Sequence, residues 1–507
     1  EEDFKKFMDN CKKWDLLTDD GLEYNIIKYS MRYCENDCTV LRKGYEKFRK
    51  WILDVCELDI DKIISSAGLA HKYFIKQGCY KGVYELSGKP MLFIQKCIVG
   101  GRCMSRDNKK YHIKGAKIND FDAVSLYPSA MYKLGGYLKG KPKVIKKEDL
   151  RYKYLEQQDG YFVEIKINKI GKERHFPLMS HVKEDGVREF TNEMEGKHIF
   201  IDKIGLEDLI KFQGIEFDVI RGYYFNEGRN NKISKSIKYL FETRKKEKAK
   251  GNPIQNVYKL IMNSGYGKTI LKPINEAVNV VSEKDYEAYV YKRYNYIKEF
   301  HKVGNKYFMY ETKPINEHYN SCQVGTEILS MSKRIMNKVM CLAEDNDCTI
   351  YYQDTDSMHI IDKDINKLKK LYKKCYKKEL IGTELGQFHS DFELDGCKNI
   401  YSKELIVLGK KCYYDELVGI DKEGNEKYGE HIRMKGTPKE SIYYKSRQDR
   451  TCVKEIYLKG LEGKKLRFVL TCGGNKACFK GTKDMKMNTI EEFQRELQFK
   501  GGYEKNY

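Results

Sequence analysis

The chain has 507 residues, with 95 Lys plus Arg against 74 Asp plus Glu and a formal charge of +21. A hydrophobic share of 41% excludes a disordered chain and is enough for several cores. No apolar run reaches the roughly 18 residues of a membrane span, and no signal peptide is expected. The basic surplus points instead to a polyanionic partner, nucleic acid before an acidic membrane surface.

Residues 1–60 read as helices. Tyr33 and Asp37 lie at i,i+4 on one face, where a phenol and an acid can hold a metal and a water beside a scissile phosphate. From this segment alone an ordinary amphipathic helix is the preferred reading, because Val40, Leu41, Tyr45 and Phe48 continue an apolar stripe. The chain opens at Glu1 on helical, charged sequence, which reads as a piece of a longer protein. The 16 Cys lack C-x-x-C pairs; Cys34 with Cys38, and Cys472 with Cys478, are the spacings a zinc site would use. Reduced thiols in an intracellular compartment are the simpler expectation.

Ile98-Val99-Gly100-Gly101-Arg102 reads as a strand end entering paired glycines and a cation, where a backbone can approach a phosphate. Next, Lys117 to Asp122 predicts a strand, followed by a turn and a helix with Pro128 in its first turn. Asp122 falls where the strand stops and N–H groups become free. Spacing alone leaves Asp120 as an equal metal ligand.

Short alternating strands are expected over 140–230. Helices are expected over 233–249 and 254–264, broken by Gly251-Asn252-Pro253, and they form an antiparallel hairpin. Arg244 and Lys248 share a face of the first helix; Lys259 and Asn263 share one of the second, with Tyr266 about a turn later. Such a clamp suits a polyanion. Strands and loops fill 268–320, and one long helix over 321–345 leads to Tyr351-Tyr352-Gln353-Asp354-Thr355-Asp356-Ser357. That stretch reads as strand, turn, strand with two acids at the tip, whose repulsion a divalent cation relieves. A basic helix over 363–380, a strand pair carrying Lys411 and Tyr413, and a C-terminal helical module starting at Arg433–Pro438 complete the chain.

In order, Asp122-x-x-Ser125-Leu126-Tyr127-Pro128-Ser129, Lys259-x-x-x-Asn263-Ser264-x-Tyr266-Gly267 and Tyr352-x-Asp354-Thr355-Asp356-Ser357 resemble the three polymerase motifs of family B DNA polymerases. Lys411-x-Tyr413 resembles the family's lysine–tyrosine motif, Gly100-Gly101 its glycine motif, and Tyr33-x-x-x-Asp37 its third exonuclease motif. The glycine motif departs from the family in having Ile98 where an aromatic is usual, and the first two exonuclease motifs have no room before Tyr33.

The resemblance implies an α/β (α+β) right-hand fold with palm, fingers and thumb, preceded by the last part of a ribonuclease H-like exonuclease domain. It implies a nucleotidyltransferase that adds dNTPs to a primer 3′-hydroxyl with two Mg2+ ions, Mn2+ being the alternative, held about 3.5–4 Å apart. Asp122 and Asp356 would hold the ions, with Asp354 and the Ala123 carbonyl in support. Arg244, Lys248 and Lys259 would bind the triphosphate, and Asn263 the nucleotide. Tyr127 would exclude a 2′-hydroxyl, and Tyr266 would line the base-pair pocket. Lys411, Tyr413, Gly100, Gly101 and Arg102 would meet DNA.

The surplus sequence resembles the two insertions of the protein-primed viral and linear-plasmid subfamily. The expected division is then exonuclease remnant (1–60), linker and first palm segment (61–139), first insertion (140–230), fingers (231–267), second insertion (268–320), palm (321–420) and thumb (421–507). Template-primer DNA, dNTPs and a terminal protein are the implied partners of a monomer with no membrane contact. The implied setting is a viral replication site or a mitochondrial or cytoplasmic linear plasmid. An RNA- or DNA-primed polymerase and a non-catalytic DNA-binding relative are the alternatives.

Overall fold

The computed structural model describes residues 2–18, 23–272, 276–313, 319–470, 476–478, 489–491, 494–501 and 503–506. Cys472 lies outside them. The 14 cysteines with described side chains are all free thiols.

Two compact units emerge. One comprises residues 1–77 and 239–265 and is helical. Its longest helix, Ile26–Cys56, starts where the Asn25 side chain accepts the Lys28 N–H, and it ends at Glu57 in the left-handed conformation. Helix Ser66–Lys76 is capped by the Ser65 hydroxyl, which accepts the Gly68 N–H. It packs on helix Gln255–Ser264, burying Leu69 and Tyr73 on one and Val257 and Ile261 on the other. The expected break at 251–253 is present. Gly251 has φ +67°, and Asn252 accepts the Ile254 N–H while donating to Glu247. Arg244 reaches across it to the Gln255 side chain at 3.3 Å, so the two helices run as a hairpin.

The other unit comprises residues 78–238 and 266–507. Its centre is a nine-stranded sheet whose main path runs 103–105, 350–354, 357–361, 110–123, 398–409, 412–420 and 426–434. Strand Lys110–Ala123 is the spine. One edge pairs with 357–361, and 503–506 adds in parallel at its start. Strand 398–409 takes the other edge as far as Ile118, and strand 388–390 takes that edge at the Asp122 end. Three register shifts where 398–409 meets 412–420 coil this half of the sheet, since each unpaired residue adds bend and twist. Beneath it pack Tyr111, Ile113, Tyr351, Leu405 and Val407.

Helix Cys322–Glu344 matches the expected 321–345. Val324, Ile328, Ile335 and Val339 are all buried at helical spacing, and the helix packs against helices Leu126–Lys133 and Lys203–Gln213. Residues 140–230 fold as a four-stranded sheet with helix Lys203–Gln213 and their own core, including Tyr161, Val163, Leu206 and Leu209. Residues 276–312 form a three-stranded sheet with helix Tyr286–Arg293. The C-terminal module is less purely helical than its sequence suggests. Helices Lys439–Gln448 and Val453–Leu461 share a core with strand Leu466–Val469, which pairs with Gln494–Leu497.

Candidate active site

Strand register brings the separated acids together. Ser357 lies opposite Asp122, Met358 opposite Phe121, and the Ala123 N–H donates to the Asp356 carbonyl at 2.8 Å. Asp120 and Asp122, two residues apart on one strand, share a face. The hairpin turns through Thr355 at φ +59°, a conformation in which a β-branched residue is strained. Its N–H donates to the Arg102 carbonyl at 2.9 Å, which pins the turn. Ser125, after the strand end, also has a positive φ, +47°, and helix Leu126–Lys133 starts there.

Burial, followed by the nearby carboxylates of Asp356, Asp391 and Asp120, pushes the Asp122 carboxyl up to about 8. Asp356 is raised by burial and by Asp354, Asp120 and Asp391, against a lowering backbone hydrogen bond. The charged groups acting most on this pair are thus other acids. Asp354 differs: the Lys411 ammonium donates to both its oxygens, at 2.9 and 3.1 Å. Lys411 sits at the turn between strands 398–409 and 412–420 with φ +53°, and its N–H donates to the Tyr352 hydroxyl.

Asp122, Asp354 and Asp356 open onto a cleft whose other wall carries Arg433, Lys435 and Lys439. In sequence, Arg433 and Lys435 read only as part of a helix start signal, and Lys439 is not singled out. Their placement follows from the hairpin of strands 412–420 and 426–434, in which Tyr413 pairs with Arg433 across the turn at Gly424. Tyr413 also lines the cleft, but it is only 4% exposed and packs among Tyr352, His359 and His431. Tyr127 stacks on Tyr266, with ring centroids 4.2 Å apart.

Arg102 corrects an expectation. Its guanidinium is buried, 3% exposed, and donates to Gln353 Oε1 and to the Phe176 and Pro177 carbonyls. Burial lowers its pKa to about 10. It holds the hairpin from behind, with its side-chain donors taken up by protein acceptors. At Gly101 a Cβ would lie 2.5 Å from the Thr355 methyl, so the hairpin tip requires a residue without a side chain there. Gly100 has open space around it.

In the helical unit Lys248, Lys259 and Asn263 are exposed and Arg244 is half-buried. Tyr33 is exposed and stacks on Tyr29; Asp37 is exposed on the same helix. Among the described residues neither belongs to a cluster that could hold a metal. The described His/acid group with metal-ligand geometry is Asp120, His359 and His431. His359 Nε2 bonds Asp415 Oδ2 at 3.0 Å. Burial alone would lower the His359 pKa, yet Asp415 and Asp120 raise it to about 9.

A family model described as DNA polymerase type B, organellar and viral, matches residues 1–346. A DNA polymerase of Kluyveromyces lactis is 28% identical over 427 residues, covering 82% of this chain and 40% of its own length. A probable DNA polymerase of Ascobolus immersus is 25% identical over 471 residues, covering 91% and 34%. The chain therefore spans about two fifths or less of these relatives. In fold it is similar to Phi29 DNA polymerase in a ternary complex with primer-template DNA and incoming nucleotide substrates, with TM-score 0.53 and 16% identity, covering 80% of this chain and 64% of that one. The architecture is the right-hand polymerase fold, and the chain belongs to the organellar and viral type B DNA polymerases.

Proposed function

We propose that the chain catalyses template-directed DNA synthesis, adding dNTPs to a primer 3′-hydroxyl. The observation that carries this reading is the pair Asp122 and Asp356, brought together by strand register with carboxylates as their strongest charged neighbours. Their donor set fits hard divalent cations such as Mg2+ or Mn2+: the donors are oxygens, half-buried, and their repulsion is relieved by positive charge. When bound, such ions neutralise charge on the attacking 3′-oxygen and the leaving pyrophosphate.

The chain's own groups supply the positioning that phosphoryl transfer needs. Asp122 and Asp356 hold the acidic centre in place, while Lys411 neutralises Asp354. Arg433, Lys435 and Lys439, with Lys411, suit the phosphates of a primer strand. Arg244, Lys248 and Lys259 suit the triphosphate, and Asn263 the nucleotide beside it. Tyr127, stacked on Tyr266, gives a flat wall for the sugar and base. In this reading 231–267 are fingers and 421–507 thumb. The separately folded segments within 140–230 and 276–312 fall where this reading places the two insertions, which supports priming from the hydroxyl of a terminal protein.

Primer extension with Asp356→Asn tests the chemistry. Incorporation should fall by about a thousandfold or more, with DNA binding kept within a few fold; wild-type-like synthesis would remove the role. Tyr127→Val should admit ribonucleotides. A primer-free assay should yield a covalent protein–nucleotide adduct, and its absence together with efficient DNA-primed synthesis would favour ordinary primers.

A further inference from the structure

We propose that Asp120, His359 and His431 form a separate binding site for one transition-metal ion of the zinc class, set beside the Asp122–Asp356 pair. Their ligand atoms all lie within 4.8 Å of one another, although they come from three strands distant in sequence. The coiling of the sheet closes strand 426–434 back over the strands that carry Asp120 and His359.

Three polar atoms without hydrogen-bond partners point to an ion. Asp120 is 5% exposed and its Oδ1 has none; His359 is fully buried and its Nδ1 has none; the buried Nδ1 of His431 has none of good geometry, Asp415 Oδ2 lying 3.5 Å from it. Orphaned polar atoms at that depth each carry a desolvation cost unless something binds them. Asp120 Oδ1 and His359 Nδ1 are 3.8 Å apart. That is too long for a hydrogen bond and a few tenths of an ångström beyond the roughly 3.4 Å that separates two ligand atoms on a tetrahedral zinc ion. The 4.8 Å limit implies that loading draws the set together slightly.

The surroundings match. His359 donates from Nε2 to the fully buried Asp415, an arrangement that fixes the tautomer and leaves Nδ1 free to ligate. Two imidazoles and one carboxylate select zinc or cobalt over magnesium. Asp120 and His431 line the cleft, which gives an entry path and a fourth position for water. Such an ion would clasp the strand bearing Asp122 to the strand that leads into Arg433, Lys435 and Lys439.

The test is metal content, which does not depend on polymerase activity. Chelator-treated 507-residue chain carrying Asp122→Asn and Asp356→Asn is dialysed against zinc, or titrated with cobalt. It should retain about one zinc per chain at this site, and adding His431→Ala or Asp120→Asn should weaken binding by about tenfold or more. Cobalt should give the visible spectrum of nitrogen and oxygen ligands without thiolate charge transfer. Equal zinc retention with and without His431→Ala overturns the proposal, and so does a thiolate spectrum. Nitrogen-15 shifts showing His359 doubly protonated in the zinc-dialysed chain would assign the cluster to a proton and also overturn it. If His431→Ala fails to fold, Asp120→Asn, which keeps the side chain's shape, carries the comparison.

Discussion

The two sides of the 350–361 hairpin treat charge in opposite ways. Behind it, Arg102 is buried and every guanidinium nitrogen has an acceptor: Gln353, two backbone carbonyls and the Met340 sulfur. At its tip, Asp356 and the adjoining strand's Asp122 have further acids as their strongest charged neighbours, and burial raises both. Asp354 stands between these cases, a cleft carboxylate already paired with Lys411. Charges that the fold satisfies hold the hairpin; charges it leaves in conflict await a ligand. That distinction separates residues that the sequence pattern places side by side.

The contrast breaks most visibly if both sides are mutated. Asp356→Asn should abolish synthesis and leave folding intact. Arg102→Ala should do the reverse in cause: the fold should lose about 3 kcal/mol or more, because Gln353 and two carbonyls are left unpaired around a cavity. The denaturant midpoint checks this, and an unchanged midpoint would return Arg102 to the DNA surface. Gly101→Ala should cost about 1–3 kcal/mol through its clash with Thr355. Thr355→Ser should relieve much of that loss by removing the methyl, whereas a phosphate-binding Gly101 would show no such rescue. Lys411→Met and Asp354→Asn, singly and together, should couple by about 0.5–1 kcal/mol in unfolding. Zero coupling would leave Lys411 free for the primer alone.

Local pattern located most elements. The breaker at 251–253 and the apolar spacing of 324–339 gave helices to within a residue or two, and the Asp-Thr-Asp tip folds as strand, turn, strand. What local pattern could not supply was anything set by long-range register. Arg102 reads as a cation after two glycines, yet Gln353, 251 residues away, decides that it is buried. Arg433, Lys435 and Lys439 enter the cleft because the hairpin that carries them joins, through strand 398–409, the strand that carries Asp122. Asp120 was visible as a candidate ligand, but His359 and His431 resemble ordinary strand histidines until the sheet coils them toward it. The C-terminal module hid its strands because Leu466–Val469 pairs with a segment some 25 residues later.

The conflict at the tip is itself open to a direct test by pH. Asp122 has its folded pKa raised from 3.8 to about 8. Below about pH 4 the folded and unfolded chains both hold that proton, so the group is neutral to stability. As pH rises the unfolded chain releases it first, and stability declines until about pH 8, above which the penalty is constant. Asp122→Asn removes this titration. In metal-free buffer the variant should match wild type near pH 4 and melt about 2–4 °C higher at pH 8. Mg2+ should then raise the wild-type melting temperature at pH 8 and narrow the gap, because it binds the ionised acids of the folded state. A variant that is less stable at pH 8, or a gap that Mg2+ widens, would show that Asp122 is satisfied by the fold as Arg102 is. The acidic tip would then lose its claim to be the part of the hairpin kept open for a ligand.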